Sequence, residues 1–170
     1  MTLLRSLSVT VLPLLMFFAS CEPAPKGTLC ERTFEPYMDL VSDQVRTIHN
    51  DGYVDAMKLY KAGDHAGAEK GLLVYLDRKD AAKGAWLYLA CSQLAIGKPF
   101  EAERAIDRLE GSNEKGFADQ CEWYTVVCWL CSDQSPRALK GAKAIVAKGR
   151  HTYAKQAERL VKALEAEGVE

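Results

Sequence analysis

From residue 51 almost to the end of the chain, apolar residues recur at spacings of three and four, as on one face of an α-helix. No segment shows the apolar and polar alternation of a convincing strand. The pattern predicts three pairs of helices, each pair joined by a short turn, followed by one final helix. The predicted helices span residues 51–62 and 64–77, 81–96 and 99–110, 117–131 and 136–148, and finally 152–167.

Glycine, aspartate and proline mark the ends of these predicted helices. Gly63 is suited to ending the first helix, and Asp64 is placed to cap the second by accepting hydrogen bonds from its free backbone amides. Pro99 and Pro136 fall in the first turn of their helices, where the missing amide hydrogen costs nothing. The longest clear loop between pairs is residues 111–116.

A short pattern recurs at about the length of one helix pair. The sequence KAGD at 61–64, followed by Ala68, returns as IGKP at 96–99, followed by Ala102, with the glycine and the alanine each shifted by 34 residues. A third copy, with Ala138, follows 36 residues after Ala102. This period indicates stacked helix pairs that bury their apolar faces against their neighbours. Proteins built in this way usually present a surface to a partner.

The second pair carries the most specific resemblance. AWLYLA at 85–90, then Gly97, Ala102, Ile106 and Leu109, resembles a tetratricopeptide repeat. The other pairs match less fully, and the resemblance covers about two thirds of the chain. It implies an all-α fold over residues 51–170, with about three stacked helix hairpins and a C-terminal capping helix. The first pair matches through Ala56, Gly63, Ala68, Leu72 and Tyr75, and the third through Trp123 and Ala138, with Val127 at the position of a small residue.

Residues 1–20 are predicted to be a lipoprotein signal peptide. One basic residue, Arg5, precedes an apolar stretch at 12–19, and FASC at 18–21 resembles the lipobox of bacterial lipoprotein precursors. Cys21 would then be lipidated, and residues 21–28 would be a proline-containing tether. Two or three acyl chains suffice for stable membrane attachment. An ordinary signal peptide with a chance cysteine, or an uncleaved segment, are the alternatives.

With this leader, the chain resembles small, singly anchored tetratricopeptide lipoproteins of Gram-negative bacteria, Bacteroidetes-like ones in particular. The resemblance implies a location in the cell envelope, on a membrane facing the periplasm or on the outer-membrane surface. Residues 29–50 form an N-terminal arm whose structure the sequence leaves open. Pro36 disfavours a helical Glu35. The apolar residues between 40 and 48 fit either a short amphipathic helix or an extended arm lying on the repeats.

Composition and charge narrow the functional classes. The 22 basic and 23 acidic residues nearly balance, and no basic cluster is present, which excludes a nucleic-acid partner held by its phosphates. His49, His65 and His151 lack nearby ligand or triad partners, so surface or capping roles are expected. The run of Glu101, Glu103 and Asp107 is expected to be a solvated face. No phosphate loop, nucleophile elbow or paired-histidine motif is present, and we expect neither enzymatic activity nor a cofactor or metal.

Five cysteines remain after Cys21. Cys128 and Cys131 have the spacing of a redox motif, but they fall in the middle or at the end of a helix, where the helix dipole does not lower a thiol pKa. Together with Cys121 they lie too far apart along one helix for a compact zinc site. Burial as small apolar residues is the main expectation. A disulfide to Cys30 or Cys91 is the alternative, since exported proteins meet an oxidising space.

In tetratricopeptide proteins the first helix of each pair lines a concave groove. Such a groove would suit an apolar peptide segment or an amphipathic helix. Alternatively, the chain's own residues 29–50 fill the groove, or its lining is simply core. The predicted function is a non-enzymatic, lipid-anchored scaffold for protein interactions; an accessory subunit of an outer-membrane assembly or uptake complex and, less favoured, a thiol-dependent envelope protein are the alternatives. The implied lining is Tyr53, Met57, Tyr60, Leu87, Leu94 and Tyr124, with Cys91, Cys128 and Cys131 beside them and Lys61 and Gln93 as polar groups.

Overall fold

The computed structural model describes residues 27–112 and 114–170. Within these ranges the protein contains helices and no strand, which confirms the predicted all-α class. The predicted signal peptide, the predicted lipidation site Cys21 and most of the predicted tether at 21–28 lie outside the described residues. The helices are α1 (Leu29–Thr33), α2 (Asp51–Lys61), α3 (His65–Leu76), α4 (Ala85–Ala95), α5 (Pro99–Glu110), α6 (Ala118–Cys131), α7 (Ser135–Ala147) and α8 (Ala154–Ala166).

From α2 to α8, helices adjacent in sequence pack against each other. The helices of each predicted pair are in contact, namely α2 with α3, α4 with α5, and α6 with α7. The pairs are joined in turn by contacts of α3 with α4, α5 with α6, and α7 with α8. The first helices also touch, α2 with α4 and α4 with α6, so that they form one side of the molecule. One continuous cluster of buried side chains runs from Val41 to Leu164.

The turns within the three pairs share one backbone conformation. Gly63 and Gly97 have φ values of +80° and +74°, a left-handed conformation that glycine adopts without steric cost. Asp133, with φ of +59°, takes the equivalent place in the third pair. The Asp64 carboxylate accepts a hydrogen bond of 2.9 Å from the amide of Gly67, which confirms the predicted cap. The short turns therefore fold each pair back on itself.

Small residues allow the two helices of a pair to approach closely. A Cβ atom on Gly71 of α3 would lie 2.9 Å from the Cβ of Ala56 on α2. Seventy residues later, a Cβ on Gly141 of α7 would lie 2.7 Å from Cγ2 of Val126 on α6. Val126, rather than the predicted Val127, therefore occupies the close-approach position. In the second pair the equivalent residues, 34 positions after Gly71 and Ala56, are the buried Ala105 and Ala90.

One helix start and one additional helix differ from the prediction by more than two residues. Helix α4 begins at Ala85 rather than at 81, because residues 81–84 form a turn in which the amide of Ala82 donates to the Tyr75 hydroxyl at 2.9 Å. The short α1 was not predicted. It is started by a capping box, in which the Glu31 amide donates to Thr28 Oγ1 at 3.1 Å and the Thr28 amide donates to Glu31 Oε2 at 2.7 Å.

Among the described residues, no helix has the length and apolar character needed to span a bilayer.

Candidate functional site

Residues 34–50, which we call the strap, cross the side of the molecule formed by the first helices. Residues 34–39 and 45–47 have no regular secondary structure, and residues 40–44 and 48–50 form bends and turns. Of the two possibilities left open by the sequence, the structure therefore shows an arm lying on the helices and no helix between Leu40 and Ile48. Pro36 lies in the non-helical part, where its fixed φ is compatible with the backbone.

Three buried tyrosines bind the strap through its backbone. Tyr124 on α6 donates a hydrogen bond of 2.9 Å to the carbonyl of Glu35, and Tyr60 on α2 donates one of 2.8 Å to the carbonyl of Tyr37. Between them, Tyr88 on α4 contacts the next part of the strap. Its hydroxyl donates to the carbonyl of Met38 at 3.2 Å and lies 3.3 Å from the amide of Leu40. The first helix of each pair thus donates a hydrogen bond from one tyrosine hydroxyl to the backbone of the strap.

The environment of these groups keeps them uncharged. Burial raises the pKa values of the Tyr60, Tyr88 and Tyr124 phenols above their usual range, so that each remains protonated and able to donate at neutral pH. Burial also raises the pKa of the Cys91 thiol to about 11. The Cys91 sulfur accepts a hydrogen bond of 3.5 Å from the amide of Tyr37. The strap is therefore bound by neutral hydrogen bonds.

A disulfide and two ion pairs hold the chain at either end of this crossing. Cys30, four residues before the strap, forms a disulfide with Cys131 at the end of α6, which closes a loop with a sequence separation of 101. At the other end, Lys61 Nζ lies 2.7 Å from an Asp43 carboxylate oxygen. Arg46 pairs with Asp55 at 2.6 Å. Both ion pairs are exposed and individually weak, so the disulfide is the stronger constraint.

All six residues predicted to line the groove are buried. Tyr60 and Tyr124 contact the strap directly. Tyr53 stacks on the ring of Tyr75 with the centroids 4.9 Å apart. Tyr60 and Tyr124 are therefore covered by the chain's own strap, which was one of the alternatives from the sequence. Met57, Leu87 and Leu94 are part of the core cluster, which was the other.

The structure adds a strap-binding residue that the repeat offsets did not indicate. Tyr88 follows the predicted Leu87 by one position and makes two of the contacts with the strap. A buried-helix pattern does not distinguish these two positions, because every residue of α4 from Ala85 to Leu94 except Trp86 is buried. Of the two polar residues predicted beside the groove, Lys61 pairs with Asp43 of the strap. Gln93 instead donates a hydrogen bond of 3.3 Å to Glu69.

Some of the cysteines are buried and free and others form a disulfide, which were the two expectations from the sequence. Cys91, Cys121 and Cys128 are buried and free, as expected for small apolar residues. Burial raises the pKa of Cys121 to about 12 and raises that of Cys128 as well. Cys131, by contrast, is paired with Cys30. In residues 27–112 and 114–170, no three His, Cys, Asp or Glu side chains are arranged to hold a metal ion.

Of the surface or capping roles predicted for His151, the solvated surface role is wrong. Its side chain is 1% exposed, and Nε2 lies 3.3 Å from Glu122 Oε2 and 3.7 Å from Asp119 Oδ1. The amide of Tyr153 donates to its Nδ1 at 3.1 Å. Both carboxylates come from α6, about 30 residues earlier, which is why no local spacing revealed them. Glu103 is likewise not simply solvated, because it accepts a hydrogen bond of 2.7 Å from Nε1 of Trp129.

A cavity of about 350 Å³ lies between the start of the strap and helices α6 and α8. Its walls combine aromatic rings with amide side chains, which is a lining able to hold a small polar group or a peptide side chain. Part of the strap forms one wall, so the cavity depends on the position of the strap. The lining includes Pro36, Tyr37, Gln120, Trp123, Tyr153 and Gln156.

The fold and this site define an all-helical protein in which sequential helices pack side by side and the first helices bind an extended segment of the same chain. Comparison with models of protein families, with curated proteins and with solved structures gives no match for this chain.

Proposed function

We propose that this protein is a non-enzymatic, lipid-anchored scaffold of the cell envelope, built from three tetratricopeptide-like hairpins and the capping helix α8. Two repeated features support this arrangement. The turns at Gly63, Gly97 and Asp133 share a left-handed backbone. The close-approach positions at Gly71 and Gly141 recur on equivalent helices. A stack of this kind offers a rigid surface that raises the local concentration of a bound partner.

The observation that carries the proposed location is the disulfide between Cys30 and Cys131. Structural disulfides form and persist in oxidising compartments and are rare in the cytosol, where thiols are kept reduced. Export through a lipoprotein signal ending at Cys21 would deliver the chain to such a compartment. The sequence and the disulfide thus support the same location by independent arguments.

The buried thiols argue against a thiol-dependent role. A reactive cysteine needs an accessible thiolate, usually favoured by a helix N-terminus or a nearby cation. Cys121 and Cys128 lie inside α6, and burial raises both thiol pKa values. Cys91 is in addition covered by the strap through its contact with the Tyr37 amide. At neutral pH these groups would therefore hold very little thiolate.

Since the strap fills the groove, we assign partner contact to the second helices of the pairs. Leu73 and Val74 on α3 are exposed apolar neighbours, with 47% and 75% of their surface accessible. Exposed apolar groups of this kind favour contact with a protein surface when they lie together. The partner would then approach the stack from the side opposite the strap.

The test is photo-crosslinking with the full chain in a bacterial envelope. A photoreactive amino acid at position 74 should give one discrete protein adduct, and the additional substitution Leu73→Asp should remove it. The same probe at the exposed Lys155 of α8 serves as the matched control and should give none. Acylation of Cys21 is read in parallel by intact mass, with Cys21→Ser as the reference. An unacylated Cys21, or no adduct at position 74, would contradict the proposal.

A further inference from the structure

The strap has an apolar outer face. Met38, Leu40, Val45 and Ile48 are 67%, 57%, 84% and 79% exposed, whereas Val41 between them is buried. Half of the eight large apolar side chains exposed in the described ranges thus fall within eleven consecutive positions of the strap. Single exposed apolar residues are ordinary, but a group of this density marks a surface that is covered by something else.

The described chain begins close in sequence to the strap. Helix α1 packs against α6 and α8, and Arg32 lies 3.9 Å from Glu167 just beyond α8. The start of the strap is then bound through its backbone by Tyr124 of α6, Tyr60 of α2 and Tyr88 of α4. Gly27, the first described residue, is seven positions before the strap.

The length of that preceding chain limits how far this side can lie from an anchor at Cys21. Six residue steps separate Cys21 from Gly27. At 3.3–3.6 Å per residue, even a fully extended chain spans only about 20 Å. Acyl chains on Cys21 would place that residue at the membrane surface, so Gly27 and the nearby start of the strap would stay close to the bilayer.

The cations beside this face are paired locally. Asp43 pairs with Lys61, Arg46 with Asp55, and His49 Nδ1 lies 3.3 Å from Asp80 Oδ2. The Asp39 carboxylate, between Met38 and Leu40, makes no ion pair among the described residues and accepts hydrogen bonds of 2.9 and 3.0 Å from the amides of Val41 and Ser42. Because the cations are already paired, contact of this surface with a bilayer would depend on apolar burial more than on attraction to charged lipids.

We propose that the outer face of the strap, formed by Met38, Leu40, Val45 and Ile48, rests on the bilayer that holds the lipid anchor. This inference rests on the lipid anchor at Cys21 in the proposed function. Four partly inserted side chains bind a bilayer weakly on their own. The anchor makes their contact intramolecular and so raises their effective concentration. The strap face and the acyl chains together fix which side of the domain faces the membrane and leave α3 facing away from it.

Val45 and Val74 give a matched pair for the test, because both are exposed valines, one on the strap and one on α3. The acylated full chain is placed in vesicles of zwitterionic lipid with a photoreactive amino acid at position 45 or at position 74. After illumination, mass spectrometry separates lipid adducts from protein adducts. We expect lipid adducts at position 45, at least fivefold more abundant than at position 74. We expect a similar yield when a fifth of the lipid is anionic.

A second variant tests the apolar face itself. With the probe at Leu40, the substitutions Val45→Asp and Ile48→Asp should lower the lipid adduct at least fivefold. Both positions are exposed, so the fold is expected to be retained, and circular dichroism checks this. Equal lipid adducts at positions 45 and 74 would overturn the inference. So would adducts at position 45 with a second copy of the chain, or with another protein in the native envelope.

The acylation state of Cys21 is read by intact mass in the same samples, which separates the two ways of failing. An acylated chain without lipid adducts at position 45 would overturn the orientation and leave the anchor standing. A chain that is not acylated would overturn the anchor and, with it, the inference that rests on it.

Discussion

The hydroxyl of Tyr124 donates a hydrogen bond of 2.9 Å to the carbonyl of Glu35, which lies 89 residues earlier in the chain. Tyr60 makes the equivalent bond of 2.8 Å to the carbonyl of Tyr37. The strap is thus bound through its backbone, as a separate extended peptide could be bound by the same helices. A segment of the same chain binds there without the loss of translational and rotational freedom that a separate peptide would incur.

Tyr124→Phe removes this bond and keeps the ring. We expect the free energy of unfolding to fall by about 0.5–1.5 kcal/mol, the usual net value of one such hydrogen bond. Urea unfolding followed by circular dichroism measures the change. Tyr60→Phe should show a similar loss. Tyr53→Phe is the matched control, since its ring stacks on Tyr75 and its hydroxyl makes no hydrogen bond with the described part of the chain. A loss as large for Tyr53→Phe would contradict this assignment.

The Cys30–Cys131 disulfide should account for a large part of the stability, because it restricts the unfolded chain over a separation of 101 residues. Replacing both cysteines by alanine is expected to lower the free energy of unfolding by about 2–5 kcal/mol. The urea midpoint of the wild-type chain should fall on addition of reductant, while that of the double variant should not respond. A wild-type midpoint that reductant leaves in place would show that the bond contributes little.

The three free thiols should not react in the folded protein. Burial raises the pKa of Cys91 to about 11 and that of Cys121 to about 12, so at pH 8 both remain protonated. Iodoacetamide without reductant should therefore leave these three thiols unmodified in the native acylated chain. It should add three groups after unfolding in urea, because Cys30 and Cys131 remain joined and Cys21 is acylated. Mass spectrometry counts the groups. Rapid modification of Cys91, Cys121 or Cys128 in the native chain would favour the thiol-dependent function instead.

Ala102 tests the packing between α4 and α5, which are in contact. Its side chain is completely buried, and tryptophan there would overfill the core. We expect Ala102→Trp to cost about 1–3 kcal/mol or more and to lower the melting temperature clearly. Arg104→Trp, two positions further along the same helix, is the control, because Arg104 is exposed and should change stability by no more than about 0.5 kcal/mol. Unchanged stability of Ala102→Trp would place this residue outside the helix interface.

The helices could be predicted from the sequence because their signals are local. Apolar spacing, the glycine at 63 and the proline at 99 each act within a few residues, and the observed α2 and α5 agree with the predicted ranges to within one residue. The start of α4 was missed because Ala81 and Ala82 are good helix formers, and only the distant Tyr75 hydroxyl shows that their backbone turns.

The path of the strap and its contacts could not be predicted, since they depend on long-range pairing. No local pattern relates Glu35 to Tyr124 or Cys30 to Cys131, which are 89 and 101 residues apart. Pairing among the cysteines was open for the same reason. The burial of His151 was also hidden, because its carboxylate neighbours lie on α6 and not on its own helix.

The glycines offer the most direct test of the repeat arrangement, because two of them should respond in opposite directions. A methyl group at Gly141 would lie 2.7 Å from Val126 Cγ2 and 2.9 Å from Trp129, so Gly141→Ala should destabilise the protein by about 1–3 kcal/mol. At Gly52, also in a helix, the nearest atom would be 3.9 Å away on Tyr75. Gly52→Ala should therefore stabilise the protein by about 0.5–1 kcal/mol, the usual gain from replacing a helical glycine.

A double-mutant cycle then separates the steric contact from other effects of the glycine. Val126→Ala removes the nearer of the two groups that the new methyl group would meet and leaves Trp129, so Gly141→Ala should cost less in this background but should still destabilise the protein. Urea unfolding of the four proteins gives the coupling energy. Because Ala56 and Gly71 are the equivalent residues 70 positions earlier, Gly71→Ala should also destabilise the protein. If Gly71→Ala and Gly141→Ala both behaved like Gly52→Ala, the helices would not approach each other closely at these positions, and the repeated contact would be ruled out.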